Sequence, residues 1–171
     1  NIKKNLEELG LKLNDSDLIK VTKRIIELGD KKQSVSSYDL PYIISDVIGS
    51  NNSRKKIVVK SYVLTHAKGL NPTTSVSLEI DGDIVEENAS GDGQFDGFMN
   101  AIKKIYKQKK MKLPYLIDYA VHIPPGSNSD ALCETTITWK LGNEEFITRG
   151  LDSDQTVSAI IATEKMLNNN F

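Results

Sequence analysis

Ser90-Gly91-Asp92-Gly93-Gln94-Phe95-Asp96 stands between a segment of β character and a long amphipathic one, and its two glycines mark a tight strand-to-helix junction. Behind it, Phe95, Phe98, Met99, Ile102, Ile105 and Tyr106 recur at the spacing that lines one side of a helix, and the lysines from Lys103 to Lys112 suit a helix C-terminus. Ahead of it, residues 57–65 and 74–80 read as strands. Asp81-Gly82 signals a hairpin turn, and a third strand runs through Ile84 and Val85 to Ser90. A helix opened by glycines is a place to hold an anion. Its first N–H groups lack intrahelical partners, the helix dipole adds about half a positive charge, and glycine lets a ligand approach the main chain. A plain tight turn with an aspartate cap has the same residues, so the junction alone does not decide the function.

The order then recurs. Residues 115–123 and 131–141 read as strands around the turn Pro124-Pro125-Gly126-Ser127, Gly142-Asn143 as a second turn, 144–150 as a third strand and 152 to about 168 as a helix. Sliding the first unit by 60 residues sets Gly82 on Gly142, Asp92 on Asp152 and Gly93 on Ser153. Two βββα units, about 55–112 and 113–171, predict an α+β domain of pseudo-symmetric halves, each sheet covered on one face by its own helix. Such a pair invites a further two-fold, which predicts a homodimer.

Residues 1–49 read differently, as three short helices. Ile2, Leu6 and Leu9 lead to Gly10. Leu18, Val21, Ile25, Ile26 and Leu28 follow the caps of Asn14-Asp15-Ser16-Asp17 and stop at Gly29; Leu40, Ile43, Ile44, Val47 and Ile48 follow Ser36 or Ser37 as cap, with Pro41 in the first turn. Stripes this thin predict a satellite that leans on a neighbour, joined by a polar hinge at Gly49-Ser50-Asn51-Asn52-Ser53.

Composition sets the outer bounds. The 171 residues, 39% of them hydrophobic, suffice for one medium domain with a satellite. A formal charge of -1 and a pI near 6.2 speak against nucleic acid as partner, so the lysines after Ile102 read as a solvated face. No apolar run is long enough to span a bilayer, no signal peptide opens the sequence, and the single Cys133 gives neither a disulfide framework nor a metal cluster. The expectation is a cytoplasmic protein without a membrane partner. Asn1 in first place predicts a piece of a longer chain. His66 and His122 read as strand histidines rather than metal ligands, and Cys133 as a small mid-strand hydrophobe rather than a nucleophile.

Four motifs in order carry a resemblance: Ser90-Gly91-Asp92-Gly93-Gln94-Phe95-Asp96-Gly97-Phe98, then Leu116-Ile117-Asp118-Tyr119, then Ser129-Asp130-Ala131, then Arg149-Gly150-Leu151-Asp152-Ser153-Asp154-Gln155-Thr156. Together they resemble the C-terminal regulatory domain of 2-isopropylmalate synthase and the closely similar citramalate synthase, over residues from about 55 to 171. Residues 1–49 are similar to the linker subdomain that joins that domain to a catalytic barrel. The family form of the first motif is roughly G-D-G-P-V-D-A, from which Gln94 and Gly97 depart, and Phe95 replaces a smaller aliphatic residue.

The resemblance implies a sensor that binds a branched-chain amino acid at a dimer interface and slows the acetyl-CoA-dependent condensation of the barrel. It implies leucine as effector, with isoleucine and the citramalate branch as the alternative. No cofactor is implied for this segment, which should be inactive alone; the divalent metal belongs to the absent barrel. In that role, Gly91 and Gly93 can present N–H groups to the effector carboxylate, and Asp96, Tyr119 or main-chain carbonyls can take its ammonium group. Phe95, Leu116, Ile123, Ala131 and Cys133 line the pocket, and Ser153 and Gln155 close it. A free-standing amino-acid-binding dimerisation module fits the same residues.

Overall fold

The computed structural model describes residues 2–31, 35–49, 55–124 and 132–169. Three helices, α1 (Ile2–Glu8), α2 (Asp15–Asp30) and α3 (Leu40–Ile48), precede two βββα units. The first unit is β1 (Ile57–Leu64), β2 (Thr73–Ile80), β3 (Asp83–Ser90) and α4 (Gln94–Gln108). The second is β4 (Tyr115–His122), β5 (Cys133–Leu141), β6 (Glu144–Asp152) and α5 (Gln155–Leu167). Each unit is an antiparallel meander, ordered β1-β2-β3 and β4-β5-β6. The α+β class and the doubled unit agree with the sequence pattern.

The hairpins follow from their turn residues. Asp81 and Gly82 both have positive φ, 49° and 90°, as a type I′ turn demands, whereas at Gly142-Asn143 the positive φ of 61° falls on the glycine, the type II′ arrangement. Both first strands are bulged, between Val59 and Ser61 in β1 and between Leu116 and Asp118 in β4. The matching bulges make Tyr62, opposite Val76, the counterpart of Tyr119, opposite Ile137. The helix caps fix the rest of the alignment: Gly93 caps α4 and Asp154 caps α5. The repeat is therefore one residue longer than the displacement read from the sequence, and Gly93 corresponds to Asp154, not Ser153. The helix α5 also begins at Gln155 rather than Asp152, because Leu151 and Asp152 continue the ladder opposite Glu134 and Cys133.

Each helix lies over only two strands of its sheet, α4 over β2 and β3, α5 over β5 and β6. The inner faces share one core, in which Val76, Leu78, Phe98, Ile102 and Ile105 of the first unit meet Ile137, Trp139, Ala159 and Met166 of the second. The strand β1 is covered by α5 from the other unit. Asn168 accepts from the N–H groups of Lys56 and Ile57 at 2.9 and 3.0 Å and donates to Ile57 O at 2.7 Å, and Glu164 accepts from Val59 N–H at 2.8 Å. An edge strand is thus tied by side chains instead of by another strand.

The N-terminal helices have a core of their own with the second unit: Val21, Leu28 and Ile43 bury against Leu132 and Leu151. Asn14 caps α2, accepting from Asp17 N–H at 2.8 Å. Asp39, not Ser36 or Ser37, is the cap residue of α3, and its carboxylate closes the preceding turn by accepting from the Ser36 N–H and hydroxyl, each at 2.8 Å. Of the expected hinge at 49–53, Gly49 is the C-cap of α3, its N–H donating to Ser45 O, and residues 50–53 lie outside the described residues.

Two glycines separate helix propensity from packing. A Cβ on Gly29 in α2 meets nothing within 4 Å, whereas one on Gly97 in α4 would lie 2.9 Å from Oγ1 of the buried Thr74. The alanine variant of Gly29 should gain about 0.5–1 kcal/mol in denaturant unfolding. The alanine variant of Gly97 should lose about 1–3 kcal/mol despite the same gain in propensity. Equal shifts in the two would show that α4 does not press on β2 as described.

Candidate functional site

The two helix starts are pseudo-equivalent, and they are built differently. At α5, the Asp154 carboxylate accepts from Thr156 and Val157 N–H at 2.8 and 3.0 Å, and Asp152 Oδ1 accepts from Asp154 N–H at 3.0 Å. That end is satisfied from within. At α4 the cap is Gly93, with no side chain to offer, and the N–H groups of Gly93, Gln94 and Phe95 have no protein partner among the described residues. The backbone at Gly93 is extended, φ -135° and ψ 171°, so glycine is not required there by conformation, and a Cβ would meet nothing within 4 Å. Gly91 is the glycine that packing demands: a Cβ there would run into Gly97 N and the backbone and carboxylate of Asp96.

Asp96 gives this end its second polar element. Its Oδ2 accepts from Asp92 N–H at 2.9 Å, which holds an exposed carboxylate beside the unfilled N–H groups. Positive main-chain dipoles and a fixed negative charge therefore lie within one helical turn. A simple anion would be favoured by the first and repelled by the second. A zwitterion has a group for each.

The apolar wall comes from the other unit. The Phe95 ring lies 5.6 Å from that of Tyr119 and stacks on Phe98 at 6.3 Å and 16°, and Phe98 meets Tyr62 edge-on at 6.3 Å. Leu116 and Val121 pair with Trp139 and Thr135, which puts both on Tyr119's face of the sheet. Since α5 stops short of β4, Leu116 and Val121 remain 38% and 37% exposed and Ile123, just past the strand, 54%. Val121 and Phe98 were not among the residues picked from the sequence. The strand register and the i+3 spacing from Phe95 are the signals that place them.

The expected site residues thus fall into two groups. Gly91, Gly93, Phe95, Asp96 and Tyr119 come together at the start of α4, with Leu116 on the open strand β4 and Ile123 just past its end. Cys133 and Ser153 meet at the start of α5, where Sγ lies 3.9 Å from Ser153 O, and Gln155 opens that helix. Ala131 lies outside the described residues. Cys133 is the first residue of β5, not mid-strand, and burial, then the carboxylates of Asp154 and Asp152, push its thiol above the ordinary value. His66 follows β1 in an exposed connection instead of lying in a strand, and His122 faces the Tyr42 hydroxyl at 3.3 Å. Among the described residues no three His, Cys, Asp or Glu side chains are grouped to hold a metal ion, and no helix is long and apolar enough to cross a membrane.

The two glycines should part company in the ligand-free chain. Gly91→Ala should lower unfolding free energy by about 2 kcal/mol or more, because backbone atoms of α4 must move. Gly93→Ala should change it by no more than about 1 kcal/mol, the usual scale of a cap substitution. Chemical denaturation compares them directly, and a severe loss at Gly93 would mean that the space before α4 is not open.

Comparisons with known proteins agree with this architecture. Residues 34–171 match the family model described as the LeuA allosteric (dimerisation) domain. A 2-isopropylmalate synthase of Aquifex aeolicus is 28% identical over 98% of this chain, and one of Methanocaldococcus jannaschii is 30% identical over 94%. An Archaeoglobus fulgidus protein, named provisionally as an (R)-citramalate synthase, is 30% identical over 92%. The chain spans about a third of the length of these relatives, 31%, 32% and 31%. With the doubled βββα unit and a family match over most of its length, the chain belongs to the LeuA allosteric (dimerisation) domain family.

Proposed function

We propose that this domain binds a branched-chain amino acid, leucine first, at the start of α4, and that binding restrains the synthase of which it forms part. The observation that carries the reading is the glycine-capped helix end, with unfilled N–H groups beside the Asp96 carboxylate. The effector carboxylate takes the N–H groups of Gly93, Gln94 and Phe95, its ammonium group takes Asp96, and its branched side chain lies on Phe95, Tyr119, Leu116 and Ile123. Cys133, Ala131, Ser153 and Gln155 complete the pocket from a partner chain in this reading.

A second copy is the natural cover for β4. That edge strand exposes Tyr115, Leu116, Ile117 and Val121, at 55%, 38%, 41% and 37%. So many exposed apolar side chains on one strand favour association over solvation. In the same reading, and by the family resemblance, the longer protein condenses acetyl-CoA with 2-oxoisovalerate, its divalent metal held outside this segment. Isoleucine, the effector that the citramalate branch of the resemblance implies, is the second reading.

Calorimetric titration with leucine, isoleucine, valine and lysine decides among these. Leucine should bind, isoleucine and valine more weakly, and lysine not at all. Gly93→Ala should weaken leucine by about tenfold or more, the scale of a lost charge-assisted contact, while the chain stays folded. In the full-length synthase the same variant should remain active and lose its sensitivity to leucine, a coupling of about 1–3 kcal/mol. Unchanged leucine affinity in Gly93→Ala would overturn the assignment of the carboxylate to this turn.

A further inference from the structure

Asp152 joins parts of the chain that the sequence keeps far apart. The residue is 1% exposed, a burial at which a carboxylate needs partners on several sides. Its Oδ2 receives Lys31 Nζ at 2.7 Å with Arg24 Nη2 at 3.9 Å, and its Oδ1 accepts from Asp154 N–H at 3.0 Å and faces the Ser153 hydroxyl at 3.4 Å. Arg24 donates to the Leu151 carbonyl and lies 3.6 Å from Asp46 and 3.5 Å from Glu27; Asp46 also takes Lys165 Nζ at 2.6 Å. One network thus holds α2 through Arg24 and Lys31, α3 through Asp46, the body of α5 through Lys165, and the start of α5 through Asp152.

A series of ring contacts leads from the candidate site to Tyr62, which feels the charges of this network. Tyr119 meets Phe95, Phe95 meets Phe98, and Phe98 meets Tyr62. Burial, opposed by the charge of Lys31 and aided by those of Asp152 and Asp154, raises the Tyr62 phenol above its ordinary value. Paired buried charges rarely add much stability over an apolar replacement, but removing one partner leaves the other uncompensated, so such a network fixes an arrangement.

We propose that Asp152 is a positioning residue that locks the first turn of α5 to the N-terminal helices, so that a shift in either is imposed on the other. The lock itself stands on the ligand-free geometry. Its use as the exit route for an effector signal rests on the function proposed above. The geometry makes both ends of the lock loosen together when the carboxylate is neutralised: Arg24 and Lys31 lose their shared counter-charge, and the side chain that accepts from Asp154 N–H is no longer anchored by them.

Hydrogen exchange on the ligand-free chain, comparing the parent with Asp152→Asn and Lys31→Ala, tests the lock. Asp152→Asn should speed exchange by about tenfold or more in both α2 and residues 153–157, leaving β2 and β5 protected. Lys31→Ala, which removes a half-exposed partner and keeps Arg24, should speed the same two segments to a smaller extent. Faster exchange at one end alone, or at neither end in both variants, would overturn the proposal. Leucine at a concentration that saturates each chain by calorimetry then tests the route: exchange in α2 should slow in the parent and not in Asp152→Asn. A parent chain that gives no heat with leucine refutes the effector reading while the ligand-free comparison still judges the lock.

Discussion

A single helix is about as wide as two strand spacings once side chains are counted, so it cannot cover all of a three-stranded sheet. In both units of this chain the uncovered strand is the first, β1 or β4, because α4 and α5 lie over the second and third. Neither unit can therefore bury its apolar face alone. The two inner faces share a core, and the remaining cover for β1 is taken from α5 of the other unit through Glu164 and Asn168. Deleting either unit would leave an edge strand with both main-chain groups and apolar side chains in water.

The pseudo-symmetry stops at β4, which among the described residues no helix clasps as α5 clasps β1. Phe95 covers it at Tyr119, and the rest of its inner face stays open. The same asymmetry shows at the helix starts, where Asp154 fills its own helix end and Gly93 leaves its counterpart unfilled. Phe95 at the open helix end meets Tyr119 of the open strand, and the proposed effector, a small zwitterion with an apolar tail, is assigned to that junction. Control needs such a site to be shared between parts that move, since a ligand that binds both arrangements equally shifts neither.

Much of this architecture is legible in the residues. Two runs of alternating β-branched residues, each closed by a glycine turn and followed by a helical stripe, specify the doubled βββα unit, and Asp81-Gly82 and Gly142-Asn143 specify their hairpins. What the linear pattern does not carry is long-range geometry. The bulges that align Tyr62 with Tyr119 leave no local signature, and the register that sets Gly93 on Asp154 becomes visible only once Leu151 and Asp152 are seen paired to β5. Asp152 itself reads as a helix opener in sequence and is a buried counter-ion in the fold, because its partners Arg24 and Lys31 are more than a hundred residues away. Gly91 and Gly93 look alike in the chain; the close approach of Asp96 and Gly97 to the first, and open space at the second, separate them.

In the proposed function the start of α4, and not its twin at α5, receives the effector. Amide chemical-shift mapping of the isotope-labelled chain during a leucine titration separates the two. The largest changes should fall at Gly93, Gln94 and Phe95, with Tyr119 following, and little should change at Thr156 and Val157, whose N–H groups Asp154 already holds. Changes centred on the first turn of α5, with the α4 amides unmoved, would contradict it.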